Sequence, residues 1–213
     1  MIKIIYIISI LTLFVFFDEK TKNNELTSEI SVQDSIPMKL EINENSNKTL
    51  KNWIDFYKSL DSTFSIDGFS LEESNTLTFI EGHVLGNYDK DFDTIYSNFI
   101  VFSPDKKKYI DFDSYQWTID EKNEVQFTVD QEINLIDIEN KTIQRIAFFG
   151  SSRWVENTFW ENDSIVYLLE NSDENLVRIS KIDIISKEIS TYKYQYKLNS
   201  KSEYSEIRIK SKL

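Results

Sequence analysis

Residues 135–146 read LIDIENKTIQRI, and residues 181–192 read KIDIISKEISTY. In both copies the motif Ile-Asp-Ile is followed, after two further residues, by a lysine and a second strand-like run. Short apolar runs on either side of a turn are typical of a β-hairpin. The recurrence therefore predicts two copies of one antiparallel unit.

A second pair of segments lies upstream of these copies. FSPDKKKYIDF at residues 102–112 aligns with WENDSIVYLLE at residues 160–170, and Asp105 falls opposite Asp163. The sequence offset between the two copies is longer for this pair than for the Ile-Asp-Ile pair. The first unit therefore carries an insertion, which we place within residues 113–132. A repeat of roughly 40–50 residues with four strands predicts a mainly β fold of two antiparallel meanders.

The turn at residues 102–105, Phe-Ser-Pro-Asp, resembles the F-S-P-D-G-K turn of blades in TolB-like and WD-repeat β-propellers, with Lys106 in place of the glycine. The resemblance covers residues 95–195 and implies two propeller-blade-like antiparallel sheets. Two blades cannot close a ring that normally needs at least four. We therefore expect either two packed sheets, as in a sandwich, or a partial propeller completed by a partner.

One amphipathic helix is predicted over residues 48–60, with Ser46 or Asn47 as its N-cap. Its apolar residues recur at spacings of three and four: Leu50, Trp53, Ile54, Tyr57 and Leu60. We expect this helix to cover an open face of a sheet. The globular domain would then span residues 48–196, followed by a solvated basic tail at residues 197–213.

The N-terminus predicts export. Residues 4–17, IIYIISILTLFVFF, carry no charge and follow Lys3. This pattern is typical of a signal peptide, although no small-x-small cleavage site precedes Asp18. Residues 1–17 are read either as a signal peptide or as an uncleaved signal-anchor, with a buried helix of a cytosolic protein as a third reading. Residues 18–47 are polar and aperiodic, which predicts a flexible tether.

An apolar run that ends at a long polar tether resembles bacterial envelope lipoproteins. The chain has no cysteine, so a lipid-modified cysteine is excluded. We expect an exported protein of the periplasm or cell envelope that contacts the membrane through its N-terminal segment. The chain carries 36 acidic and 24 basic residues, a formal net charge of −12, which argues against a nucleic-acid partner.

Residues 148–160, FFGSSRWVENTFW, connect the two predicted units. Strict alternation would place Trp154, Glu156 and Thr158 on one strand face, with Val155, Asn157 and Phe159 on the other. Connectors between blades commonly line a binding surface, so we predict Arg153 and Trp154 as exposed contacts. Trp117 is a further aromatic candidate for binding a glycan.

Other motifs indicate little chemistry. Asp89, Asp91 and Asp93 match the start of an EF-hand calcium loop, but Thr94 and Ile100 stand where the loop requires Gly and Glu, so no metal site or cofactor is predicted. His83 is the only histidine, and no nucleophile motif accompanies it.

Two functional hypotheses remain. The first is a non-catalytic envelope protein whose β-rich head binds a protein, peptide or glycan. The second is an exported glycoside hydrolase or other hydrolase that uses carboxylates, with Glu156, Glu161 and Asp163 as the residues to test.

Overall fold

The computed structural model describes residues 38–213 and confirms a mainly β protein with antiparallel sheets and two helices. The signal or anchor segment at 1–17 and most of the predicted tether lie outside the described residues. Helix α1 spans Lys48–Leu60, as predicted, and helix α2 spans Tyr204–Lys210. The strands are β1 (Phe69–Thr76), β2 (Ile80–Glu81), β3 (Val101–Phe102), β4 (Lys108–Asp111), β5 (Trp117–Ile119), β6 (Val125–Phe127), β7 (Gln131–Asp137), β8 (Thr142–Phe149), β9 (Arg153–Trp160), β10 (Ile165–Ser172), β11 (Arg178–Asp183) and β12 (Glu188–Tyr194).

The strands form two five-stranded sheets and a separate hairpin. Sheet 1 has the order β1-β12-β11-β10-β9, and sheet 2 has the order β2-β8-β7-β4-β3. In each sheet the four later strands form an antiparallel meander that corresponds to one predicted repeat unit. The hairpin β5–β6 lies within the insertion predicted at residues 113–132. β1 and β2 are consecutive in sequence but join different sheets.

Turns of the two meanders share backbone features. Lys141 and Lys187 occupy equivalent hairpin positions and have φ angles of 51° and 57°. Lys106, in place of the glycine in the first turn, has a φ of 61°. Asp105 of this turn donates its backbone N–H to the Asp163 carboxylate at 2.8 Å, so aligned residues of the two units are in direct contact. The described residues nevertheless form neither a closed barrel nor a propeller ring.

Two apolar clusters cover the two faces of sheet 1. The first joins α1 to sheet 1 and includes Trp53, Ile54, Tyr57, Phe159, Tyr167 and Ile179. The second joins the two sheets and includes Ile110, Ile133, Leu135, Val155, Val166 and Ile182. Each large apolar side chain that is fully buried contributes about 1.5–3 kcal/mol to folding. Sheet 1 is therefore the central layer, with α1 on one face and sheet 2 on the other.

The N-terminus of α1 is capped as its sequence predicts. The Asn47 side chain accepts hydrogen bonds from the backbone N–H groups of Thr49 and Leu50, at 2.8 and 3.4 Å. The last part of the predicted tether, residues 38–47, also differs from a free spacer. Leu40 is buried, and Leu71 donates its N–H to the Met38 carbonyl at 2.8 Å. The chain is thus tied to the edge of β1 before α1 begins.

A β-bulge corrects the predicted alternation along β9. Asn157 pairs with Leu169 but Val155 pairs with Glu170, so Glu156 is an extra residue without a partner in β10. As a result Val155 packs between the sheets, whereas Phe159 packs toward α1. The two residues do not share a face as predicted, because the bulge shifts the alternation by one residue.

The C-terminal segment also differs from the solvated tail that its basic composition predicts. Helix α2 is packed on the domain, with Tyr204, Arg208 and Ile209 buried. Arg208 makes two hydrogen bonds to the Asp113 carboxylate, at 2.6 and 3.0 Å. Its guanidinium also lies over the Phe112 ring, 4.7 Å from the centroid. The buried ion pair explains why this part of the basic segment is not in solvent.

Candidate functional site

A cleft of about 390 Å³ opens between three segments of the described chain. Residues 127–131 run from the end of β6 to the start of β7. Residues from 150–154 form the β8–β9 turn and the start of β9, and residues from 201–206 include the first turn of α2. We call this cavity the cleft. It brings together the end of the hairpin insertion, the connector between the repeat units and the C-terminal segment.

Trp154 lines the cleft and is partly exposed. The other three tryptophans, Trp53, Trp117 and Trp160, are at least nine-tenths buried. The Trp117 indole N–H donates to the Asp113 carboxylate at 2.8 Å, and its ring packs on Tyr96 and Phe99. Trp117 is therefore part of the core, which corrects its prediction as a binding residue, whereas Trp154 lies where a ligand has access to it.

Arg153 also lines the cleft, but its charge is engaged. Its guanidinium contacts the Glu170 carboxylate at 2.5 Å, and the Glu170 side chain is fully buried. Burial raises the pKa of Glu170, and the neighbouring Arg153 opposes that shift. The guanidinium also lies over Phe149, 5.2 Å from the ring centroid. Arg153 thus holds the wall of the cleft in place and brings little free positive charge to it.

Glu156, the bulge residue, is fully buried behind the cleft. Its Oε2 accepts hydrogen bonds from the Trp53 indole N–H at 2.8 Å and the Tyr57 hydroxyl at 2.7 Å. Its Oε1 accepts from the Ser202 hydroxyl at 2.5 Å, and Ser202 lines the cleft. Burial raises the pKa of Glu156, and these neutral hydrogen-bond donors only partly offset the effect. One carboxyl therefore connects α1, β9 and the wall at 201–206.

Several polar groups of the cleft have no partner among the described residues. No ion pair within residues 38–213 involves Asp130, Lys201 or Glu203. The buried Ser205 hydroxyl likewise has no hydrogen-bond partner in this part of the chain. The cleft also presents apolar surface, since Phe127 is 45% exposed and Val129 73% exposed. It therefore offers free donors, free acceptors and an aromatic ring together.

The edge of strand β9 next to the cleft is closed by Gln131, which lines the cleft. The Gln131 side chain accepts a hydrogen bond from the Val155 N–H at 2.7 Å and donates to the Val155 carbonyl at 3.2 Å. It also donates to the Gln116 side chain and to the Phe112 carbonyl, both at 2.9 Å. A side-chain amide therefore occupies the hydrogen-bonding positions that a neighbouring strand would use on β9.

His83 does not form a catalytic triad. Its Nδ1 lies 2.6 Å from the Glu132 carboxylate, and its backbone N–H donates to the same group at 3.1 Å. Burial of Glu132 is outweighed by hydrogen bonds from His83 and Arg145, which lower the pKa of that carboxyl. Within the described residues His83 has hydrogen bonds only to Glu132, so no serine completes a charge relay.

The aspartates of the calcium-like motif are not brought together. Asp89 accepts a hydrogen bond from the Gly86 N–H at 2.7 Å, and Asp93 caps the 3₁₀ helix Thr94–Asn98. Asp91 is exposed. In residues 38–213 no group of three or more metal-ligating side chains could hold a metal ion.

The three carboxylates named for the hydrolase hypothesis do not share a site. Glu156 is buried, whereas Glu161 and Asp163 lie in the β9–β10 turn, at the opposite end of β9 from Trp154. Sequence reasoning missed Ser202 and the rest of the wall at 201–206. The spacing of Tyr204, Arg208 and Ile209 is the one signal that could have indicated a packed helix there.

No protein-family model, curated protein or solved structure matches the chain. No helix among the described residues is long and apolar enough to cross a membrane. The interpretation of the cleft therefore depends on its own chemistry.

Proposed function

We propose that this chain is a non-catalytic, exported or membrane-tethered envelope protein whose β-rich head binds a ligand in the cleft. The observation that supports this proposal is the partly exposed Trp154 beside polar side chains that lack partners within the described residues. The cavity of about 390 Å³ falls within the usual size range of ligand sites. The strongly acidic composition of the chain argues against a nucleic-acid ligand.

Export and tethering are supported by the uncharged run at residues 4–17. The two meanders are proposed as propeller-blade-like units, a view supported by the contact between Asp105 and Asp163. Cell fractionation of the full chain, with and without residues 2–17, tests export. A full-length protein that stays in the cytosolic fraction contradicts this part of the proposal.

The test of ligand binding compares full-length wild type with Trp154→Ala and with Tyr196→Ala. Tyr196 is 57% exposed and does not line the cleft, so it serves as the matched control. Ligands are screened by thermal shift against panels of glycans and peptides. We expect Trp154→Ala to weaken binding at least tenfold and Tyr196→Ala to leave it unchanged. Equal binding by both variants would place the ligand site elsewhere.

A hydrolase is the second candidate function, favoured by the Glu156–Ser202 contact. Burial raises the pKa of Glu156, and a carboxyl of raised pKa beside a cleft-lining hydroxyl is an arrangement used in general acid–base chemistry. The same panels, assayed for released products, test it. Turnover by wild type that is abolished in Glu156→Gln, with ligand binding kept, would favour the hydrolase over the binding protein.

A further inference from the structure

We infer that the ligand of the cleft is a neutral glycan segment, one or two sugar rings of which stack on Trp154. The inference rests on the proposed function, because it specifies the ligand of the same cleft. It follows from three observations: the exposed aromatic ring, the uncommitted polar groups and the closed strand edge.

The aromatic ring supplies the apolar contact. Trp154 lines the cleft, is partly exposed and is not part of either main core cluster. A sugar ring has a face of C–H groups that packs on a flat aromatic surface, while its hydroxyls project around the rim. A tryptophan provides a large, rigid surface for such packing at low cost in conformational entropy.

The polar groups suit hydroxyls. Asp130 and Glu203 can only accept hydrogen bonds, whereas Lys201 can only donate them. A sugar hydroxyl does both, so one neutral ligand satisfies groups of either kind.

The charges disfavour acidic ligands. Arg153 is neutralised by Glu170, which leaves Lys201 as the free cation of the cleft among the described residues. Asp130 and Glu203 oppose it, and Glu206 is paired with Lys210 at 2.6 Å. A uronic acid or a phosphorylated sugar would therefore meet an excess of carboxylates, in a protein that is already acidic overall.

The strand edge disfavours an extended peptide. Peptides commonly bind by adding a strand to an open sheet edge, where backbone hydrogen bonds supply affinity. At the part of β9 next to the cleft, the N–H and carbonyl of Val155 are already bonded to the side chain of Gln131, which lines the cleft. A peptide would have to displace this buried amide, whereas a glycan needs only the side chains of the walls.

Trp154 also provides the readout. It is the one tryptophan of the described chain that is not buried, so acrylamide quenching of the tryptophan fluorescence of the full-length protein reports chiefly on the cleft. The probes are neutral tetrasaccharides of α- and β-linked glucose and of β-linked N-acetylglucosamine, tetragalacturonate and a pool of unmodified hexapeptides. We expect at least one neutral tetrasaccharide to reduce quenching, and tetragalacturonate and the hexapeptides to have no effect.

Variants identify the groups that bind, with affinity measured by calorimetry so that Trp154 itself can be replaced. Trp154→Ala should weaken binding of the neutral tetrasaccharide at least tenfold, and Glu203→Gln about threefold to tenfold. Glu188→Gln, an exposed carboxylate on β12, should leave it unchanged. Far-ultraviolet circular dichroism verifies that each variant is folded.

The outcomes separate the two proposals. If only hexapeptides or tetragalacturonate protect Trp154, the glycan inference is overturned while the binding function stands. If no probe of any class protects Trp154 or binds by calorimetry, the glycan inference fails and the proposed function loses its support as well. Binding of a neutral tetrasaccharide that Trp154→Ala does not weaken also overturns the inference.

Discussion

Replacement of Glu156 should change how the stability of the protein depends on pH. The carboxyl is fully buried, and its hydrogen-bond partners in the described chain, Trp53, Tyr57 and Ser202, are all neutral. Burial raises the pKa of Glu156 above its value in the unfolded chain, which is near 4.3. Between these two pKa values the folded state retains a proton that the unfolded state has lost.

The sign of the effect follows from this difference in bound protons. The free energy of unfolding is highest below the unfolded pKa and falls as pH rises toward the folded pKa. The unfolding equilibrium constant changes by at most about tenfold per pH unit from this single group. Wild type should therefore be less stable at pH 8 than at pH 5 by the part that Glu156 contributes.

Glu156→Gln removes this contribution without removing the hydrogen bonds. The amide oxygen can accept from Trp53 and Tyr57, and the amide nitrogen can donate to the Ser202 oxygen once that hydroxyl rotates. We expect the variant to be more stable than wild type at pH 8, by an amount that grows as pH rises, with little difference at pH 4. Glu156→Leu leaves the Trp53 and Tyr57 donors without an acceptor and should cost about 2–4 kcal/mol at pH 4. The cost relative to wild type should be smaller at pH 8, because leucine does not titrate either.

Urea denaturation of wild type and both variants, followed by circular dichroism from pH 4 to pH 8, measures these differences. Other buried carboxyls such as Glu170 also titrate, so the informative quantity is the difference between wild type and Glu156→Gln at each pH. The reasoning is refuted if that difference does not grow with pH, or if Glu156→Gln is less stable than wild type at pH 8.

Three further predictions concern stability and are tested by the same urea denaturation at pH 7. Arg208→Met leaves Asp113 buried without its cation and should lower the free energy of unfolding by about 3–5 kcal/mol. The control is Lys210→Met, which removes an exposed ion pair and should change the free energy of unfolding by less than about 1 kcal/mol. Equal effects would mean that the ion pair does not anchor α2. Lys141 has a φ of 51°, which glycine adopts readily, so Lys141→Gly should change the free energy of unfolding by less than about 1 kcal/mol. Lys181→Gly, inside β11, should lower it by about 1 kcal/mol. A larger loss for Lys141→Gly than for Lys181→Gly would contradict the assigned turn. Trp53→Ala should lower the free energy of unfolding by about 3–5 kcal/mol, because it opens a cavity between α1 and sheet 1 and removes one hydrogen-bond donor from Glu156. A decrease below about 1 kcal/mol would show that α1 is not part of the core.

The sequence predicted the elements whose signals are local. The helix at 48–60 follows from apolar spacing and a capping Asn47, and both are present. The hairpins of the repeat follow from short strand-like runs and turn residues, and the insertion in the first unit is the β5–β6 hairpin. In each case the residues that determine the structure lie within a few positions of one another.

The predictions that failed depend on distant partners. Arg208 is buried because it pairs with Asp113, 95 residues earlier. No composition of residues 197–213 reveals that pairing. Trp117 is buried because it packs in one cluster with Tyr96, Phe99 and Ile209, which come from distant segments. The bulge at Glu156 likewise depends on register with β10, and it moves Phe159 to the face opposite the predicted one.

The candidate site was predicted in part. Trp154 and Arg153 both line the cleft, although Arg153 is engaged with Glu170. The opposite wall came from the segment that was predicted as a tail, so the cleft as a whole was not foreseen. A cavity formed by three segments far apart in sequence has no local signature.

The pairing of β1 with β12, the first and last strands of the chain, bears on the order in which sheet 1 folds. Phe69 at the start of β1 pairs with Tyr194 at the end of β12, so sheet 1 is incomplete until nearly the whole chain has been synthesised. At usual rates of synthesis the delay between these two residues is on the order of ten seconds. Helix α1 must wait as well, because its Trp53 and Tyr57 bond to Glu156. During synthesis, sheet 1 therefore stays incomplete long after β1 has been made, because β12, the last strand synthesised, pairs with β1.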